Sequence, residues 1–151
     1  MDFPILSSLI LLPTIGAIFI FCSKNKNNIS SKYISIFISF VNFILSIYLW
    51  YSFDNRTHEF QFVEERKWLI GFVNYKIGVD GISILFIILT TFITSLCIFS
   101  VSSSVKTRLK DFLIAILLME SFMIGVFCSL DLLIFYLFFE GGLIPMFLII
   151  G

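Results

Sequence analysis

DLLIFYLFFEGGLIPMFLIIG, residues 131–151, decides how this chain is built. Its length matches the roughly 20 apolar residues that a helix needs to cross a bilayer. It is almost wholly apolar, with Asp131 at its start and one acid, Glu140, near its centre. A carboxylate at bilayer depth costs roughly 2.5–3.5 kcal/mol on insertion scales. The apolar and aromatic residues from Leu132 to Phe139 offset about that much, at roughly 0.3–0.6 kcal/mol each. The segment therefore inserts with its acid. Because the acid helps neither insertion nor packing, its default reading is a proton or ion site.

The rest of the composition agrees. Of 151 residues, 59% are hydrophobic and 13% charged, and the mean hydropathy is +1.06. A soluble domain does not carry repeated apolar runs of spanning length, so the chain is an integral membrane protein. The formal net charge is +0, which points to neither nucleic acid nor an acidic substrate. Cys22, Cys97 and Cys128 fall in or at the ends of apolar runs, with no CxxC spacing. They read as small packing residues rather than a disulfide framework or a metal knuckle.

Working outward, the sequence predicts an all-α integral membrane bundle of five helices, at about 3–22, 33–53, 79–101, 111–129 and 131–150. In the first, basic residues follow rather than precede the run, so it is retained and not a cleaved signal. Pro4 suits a first turn. Pro13 should kink the helix, and Gly16 should ease contact with a neighbour. The second run ends in Tyr48, Trp50 and Tyr51, an interfacial aromatic cluster. The connection 54–78 carries four acids and four basic residues, so it is electrically balanced. Within it, 60–63 and 68–75 have the aromatic and β-branched content of a short hairpin on the membrane surface. His58 lies there among solvated residues and reads as a surface side chain.

The third run follows GVDGIS, residues 78–83, where Asp80 is placed as an N-cap between two glycines. Its hydroxyls, Thr90, Thr91, Thr94 and Ser95, should bond to backbone carbonyls or to neighbouring helices. The fourth run carries a second central acid, Glu120. A tight turn at Ser129–Leu130 leads into the fifth, with Asp131 as its N-cap. Lys24, Lys26 and Lys32 in the first linker, with Lys106, Arg108 and Lys110 in the third, are six of the ten Lys and Arg. The positive-inside rule puts these two linkers in the cytoplasm or matrix. The N-terminus, the long connection and the Leu130 turn then face the other side.

Glu120 lies ten residues before Leu130 and Glu140 ten residues after it. At about 1.5 Å per residue both carboxyls stand roughly 15 Å from the shared turn, near mid-bilayer. Equal depth leaves open whether they face each other; if they do, two like charges in a low dielectric share a proton. Such a site can load and release a proton when a nearby charge changes. Tyr136, one turn before Glu140, is placed to hydrogen-bond its carboxyl. Gly141 and Gly142 should admit another helix or a file of water. Pro145 cannot donate to the carbonyl of Gly141, which frees that oxygen for a polar partner. The structural alternative is an acid paired with a lysine of another helix as a packing lock. No membrane-embedded Lys or Arg in this chain can play that part. The sequence shows no phosphate loop, nucleophile triad, Cys or His cluster or paired haem histidines, so no redox centre is expected in it.

At GVDGIS, and from Glu120 onward in ES and then IGVFCSLDLLIFYLFFEGGLIPMFLIIG, the sequence resembles one family. It is similar to subunit M of the bacterial proton-pumping NADH:quinone oxidoreductase and its mitochondrial counterpart, NADH dehydrogenase subunit 4. FFE followed by LIPMF separates this subunit from the sister antiporter-like subunits L and N. The resemblance covers the whole chain and is strongest from Lys76 to Gly151. It implies a subunit of the membrane arm of complex I, related to multisubunit cation/proton antiporters, in a bacterial inner or mitochondrial inner membrane. NADH, FMN, iron–sulfur clusters and quinone would be held by other subunits, and subunits L and N would be neighbours, with no nucleic acid partner. Glu140 matches the family's fifth-helix glutamate, which pairs with a lysine on a later, broken helix. Glu120 matches a fourth-helix acid of alphaproteobacterial style.

Family members have about fourteen helices, ten of them in two inverted repeats of the transporter kind. Five helices would be the N-terminal part of that fold, and the partner lysine would lie beyond Gly151. The chain is expected to be a truncated or split copy. Two other readings share its helices: a membrane subunit of a cation/proton antiporter or hydrogenase, and a non-functional fragment. The wording LFFEGGLIPM favours the complex I subunit over the antiporter; the missing lysine favours the fragment.

Overall fold

In hydrocarbon every backbone polar group has to be satisfied within the protein, which makes each apolar run a helix. The computed structural model of the chain describes residues 5–23, 28–53, 56, 59, 61–68, 73–104, 109–130 and 132–150. Its elements are α1 (Ile5–Cys22), α2 (Asn28–Ser52), β1 (Gln61–Trp68), β2 (Val73–Val79), α3 (Gly81–Ser104), α4 (Leu109–Cys128) and α5 (Leu132–Ile150). All five helices are long and apolar enough to cross a membrane, and the chain is a multi-pass membrane bundle. His58 and Asp131 lie outside the described residues.

The helix α2 begins at Asn28, more than a turn before the expected 33. Serine at the start of a run reads as linker because its hydroxyl competes for backbone groups. Here Ser35 Oγ instead donates to the Ser31 carbonyl, 2.8 Å away and one turn back, a bond that helix geometry itself provides. α1 continues across Pro13. Gly16 faces Ile38 so closely that an added Cβ would stand 2.3 Å from its Cδ1. α1 and α2 therefore pack through a glycine notch, as the sequence suggested.

Two apolar clusters mark the two ends of the bundle. One gathers Ile5, Leu6, Leu9 and Ile10 of α1, Leu49 of α2, Ile77 and Val79 of β2, Ile84 and Ile87 of α3, and Ile124 and Cys128 of α4. The other joins Ala17 and Ile20 of α1, Ile98 of α3, and Leu113 and Leu117 of α4. The N-terminal half of α1 thus lies with the C-terminal half of α4, as antiparallel neighbours require. α4 is the central helix and packs against α1, α2, α3 and α5.

β1 and β2 form an antiparallel hairpin with Glu65 opposite Lys76 and Trp68 opposite Val73. The first strand runs through the charged stretch 64–67, which shows no apolar alternation and so gave no strand signal. Its backbone pairs with β2 regardless. The hairpin does not simply rest on a surface: Ile77 and Val79 are buried in the first cluster. Ile77 also bridges to Ser129, and Leu130 N–H donates to the Lys76 carbonyl at 2.9 Å. The N-terminal end of α1, the hairpin and the Leu130 turn therefore share one end of the molecule. At the other end Lys110 Nζ donates to the Ser23 carbonyl just past α1, a cation where a helix C-terminus favours one.

Asp80 caps α3, accepting from Ser83 N–H at 2.8 Å. That backbone bond holds its carboxyl below the usual range, against an opposing contribution from burial. A lowered folded value means the cap is fully present above the ordinary carboxylate pKa of about 4 and is lost as pH falls through the folded one. Asp80→Ala should weaken the first turn of α3 by about 1 kcal/mol, whereas Asp80→Asn should keep most of the cap and lose its acid sensitivity. Hydrogen exchange at the Ser83 amide reads both. Equal protection in wild type and Asp80→Ala would show that the cap contributes nothing.

Candidate functional site

The α4–α5 contact decides where both acids point. An added Cβ on Gly125 of α4 would stand 2.7 Å from the Phe138 ring, and one on Gly141 of α5 would stand 2.8 Å from Phe122. Each helix inserts a phenylalanine into the other's glycine notch, and the two rings meet at 6.3 Å. Helical residues turn by about 100° each. Glu120, two positions from Phe122, therefore faces away from α5, and Glu140, beside Gly141, sits off the contact.

Glu120 is turned into the bundle and is 1% exposed. Asn42 of α2, fully buried, donates from Nδ2 to Glu120 Oε1 at 2.7 Å. Among the described residues, Glu120 Oε2 and Asn42 Oδ1 have no hydrogen-bond partner. Asn42 belongs to a buried row on α2, Ser31, Ser35, Ser39, Asn42 and Ser46, whose spacing of three and four keeps it on one face. Ser46 Oγ and Thr91 Oγ1 of α3 lie 2.9 Å apart, and Ser95 Oγ donates to the Ser39 carbonyl at 3.2 Å. Thr90 and Thr94 bond carbonyls one turn back, as expected of membrane hydroxyls. Across the bundle, Thr14 Oγ1 of α1 meets Ser121 Oγ of α4 at 2.7 Å. The interior shared by α1 to α4 is thus polar at its middle and apolar at both ends. Asn42 was not singled out from the sequence. The signal was present, because a helix that turned all its faces to lipid would not repeat Ser, Ser, Asn and Ser at this spacing.

Glu140 is exposed on the outer side of α5, in a shallow, open depression formed by Leu137, Gly141, Leu143, Ile144 and Phe147 of the same helix. The structure does not bring Glu120 and Glu140 together as a pair, so the shared proton expected of facing acids has no geometry here. Tyr136 is exposed on the same side of α5, but its hydroxyl makes no hydrogen bond to Glu140. Helical side chains lean toward the N-terminus, which carries the hydroxyl of residue 136 away from residue 140. Gly141 admits another helix, and that helix is α4 through Phe122. Pro145 is buried within α5, four residues beyond Gly141 on the packed side.

No protein-family model matches the chain. NADH-ubiquinone oxidoreductase chain 4 of Marchantia polymorpha is 50% identical over 97% of this chain and 30% of its own length. NADH-quinone oxidoreductase subunit M of Rickettsia conorii is 45% identical over 100% of this chain and 32% of its own. Among solved structures, a chain of respiratory complex I from Thermus thermophilus with bound NADH matches at a TM-score of 0.74 and 28% identity, covering 93% of this chain and 27% of that one. The chain thus spans about a third of the length of the curated relatives it matches. Over nearly its whole length this chain is similar in sequence to the N-terminal third of the NADH-quinone oxidoreductase subunit M and chain 4 proteins, and in fold to a chain of respiratory complex I.

Proposed function

We propose that this chain is the N-terminal part of a membrane-arm subunit of respiratory complex I, in which Glu140 and Glu120 take part in moving protons during NADH-to-quinone electron transfer. The observation that carries the reading is the position of Glu140. It stands on the outer side of α5 in a shallow, open depression among Leu137, Gly141, Leu143, Ile144 and Phe147 of the same helix. Facing lipid, a carboxylate there would cost roughly 2.5–3.5 kcal/mol. A polar or cationic group on a helix outside this bundle removes that cost, and the relatives are about three times as long as this chain. The lysine implied by the family resemblance has the right charge for the position. Tyr136, Gly141 and Pro145 support the site through the α5 backbone and its packing rather than through a hydrogen bond to the acid.

This role requires no cofactor in the chain: NADH, FMN, iron–sulfur clusters and quinone would belong to other subunits, and antiporter-like subunits L and N would be its neighbours. With linkers one and three on the cytoplasmic or matrix side, the N-terminus and the hairpin face outward. A tagged copy purified from its native membranes is expected to bring down other complex I subunits together with NADH:quinone activity. Recovery of the tagged chain alone, free of those subunits, would overturn the assignment. Recovery with antiporter or hydrogenase subunits would replace it.

A further inference from the structure

Glu120 is the only buried charged side chain among the described residues. Its partner is neutral. Polar groups that α1, α3 and α4 add to the same interior, Thr14, Thr91, Ser95 and Ser121 among them, are hydroxyls bound to other hydroxyls or to carbonyls. A buried carboxyl with one bond to a carboxamide, and an oxygen on each group with no partner among the described residues, is an unusual arrangement for a purely structural contact, because buried polar atoms are ordinarily satisfied.

The chemistry of the partner explains the choice. A carboxylate only accepts hydrogen bonds, whereas a carboxylic acid both donates and accepts. A lysine partner would serve the carboxylate and lose its bond on protonation. A serine offers one hydroxyl. A carboxamide presents a donor and an acceptor of nearly equal size, which exchange places when the group turns by half a turn. Nδ2 can therefore donate to Glu120 when it is ionised, and Oδ1 can accept from Glu120 when it is protonated. The two oxygens without partners, Glu120 Oε2 and Asn42 Oδ1, are the atoms that a proton between the groups would engage.

We propose that Asn42 is the positioning residue of Glu120, and that its carboxamide holds the glutamate through both protonation states inside the bundle of α1 to α4. In the step itself one O–H bond forms at a Glu120 oxygen as water delivers the proton, and breaks as water takes it away. No bond of Asn42 is made or broken beyond its hydrogen bonds. The inference rests on the reading of Glu120 as a proton-transfer group and adds the residue that lets it exchange a proton while keeping its place. The pair is a site separate from Glu140, on the opposite side of the α4–α5 contact.

Infrared difference spectroscopy tests this in the full chain in lipid bilayers, comparing acid and alkaline buffer. The carboxylic C=O band that disappears in Glu120→Gln belongs to Glu120. In Asn42→Leu that band is expected to move to higher wavenumber, because the protonated carboxyl loses its hydrogen bond to the carboxamide, while Asn42→Gln keeps it near the wild-type position. Ser46→Ala, on the same buried face, should leave it unmoved. A wild-type band position in Asn42→Leu overturns the proposal, and so does the absence of any Glu120→Gln-sensitive band in wild type. Should Asn42→Leu fail to insert, Asn42→Ala, which has no hydrogen-bonding group in its side chain, reads the same shift. Proton-coupled turnover of Glu120→Gln in a complete subunit tests the underlying reading separately, and a loss milder than that of Glu140→Gln is expected. Normal turnover there would refute the transfer role, whereas an unmoved band would refute the pairing.

Discussion

Glu140→Gln, placed in a complete subunit, is expected to reduce proton-coupled NADH:quinone turnover by roughly 10²-fold or more while the complex still assembles. The size follows from what a positioned proton-transfer group contributes, about 10²–10⁴-fold. The selectivity follows from the structure. Glutamine has nearly the same volume as glutamate, and Glu140 lies off the packed side of α5, where Phe138 and Gly141 make the contact with α4. The substitution therefore leaves the α4–α5 interface intact and removes only the capacity to ionise. A packing lock behaves differently: if Glu140 merely tied α5 to a lysine, glutamine would weaken assembly and leave the turnover of each assembled complex unchanged. Measuring turnover per assembled complex, with assembly followed by native electrophoresis, separates the two. Unchanged pumping in fully assembled Glu140→Gln would end the functional claim for this residue.

The fold was legible because hydrocarbon leaves a chain few choices. Runs of about 20 apolar residues have to be helices, and short connections make successive helices antiparallel neighbours. The hairpin was only half legible. Residues 64–67 carry no alternation, and their strand exists because β2 lies beside them. The acids show a sharper boundary. Their depth can be counted from the shared turn, since the rise per residue is fixed. Their direction cannot be counted from depth alone; it depends on which face each helix gives to its neighbour. Gly125, Gly141 and Phe122 held that information, because small residues mark the side on which membrane helices approach. Placing Gly141 against α4 would have turned Glu140 outward by about 100°, and would have removed the facing pair. Asn42 was missed for a related reason: one amide in an apolar run reads as tolerated until the serines at Ser35, Ser39 and Ser46 are seen to share its face.

The reciprocal Phe–Gly contact between α4 and α5 should be the most sensitive packing point for the α5 site. α5 has few other helix contacts, and α4 is its principal neighbour. Gly125→Leu would place its Cβ 2.7 Å from the Phe138 ring, closer than carbon atoms can stand, with the rest of the side chain still to be housed. Overpacking of this kind typically costs 1–3 kcal/mol, occasionally more. The easiest relaxation is for α5 to move off α4, since Phe122, one turn before Gly125 on the same helix, also stands against the ring with centroids 6.3 Å apart. Separation would carry Glu140 away with its helix, so Gly125→Leu should reduce both the stability of the bundle and turnover in a complete subunit. Phe138→Ala removes the obstructing ring and should restore much of both in Gly125→Leu/Phe138→Ala, although alone it leaves a void and costs about 3–5 kcal/mol at a fully packed site, less at this half-buried one. The double mutant measures the coupling directly. A cysteine pair placed across the two helices would report separation in Gly125→Leu as lost cross-linking. Additive losses in the double mutant, with cross-linking unchanged, would mean that this notch does not set the position of α5, and that Glu140 is held in place by contacts elsewhere.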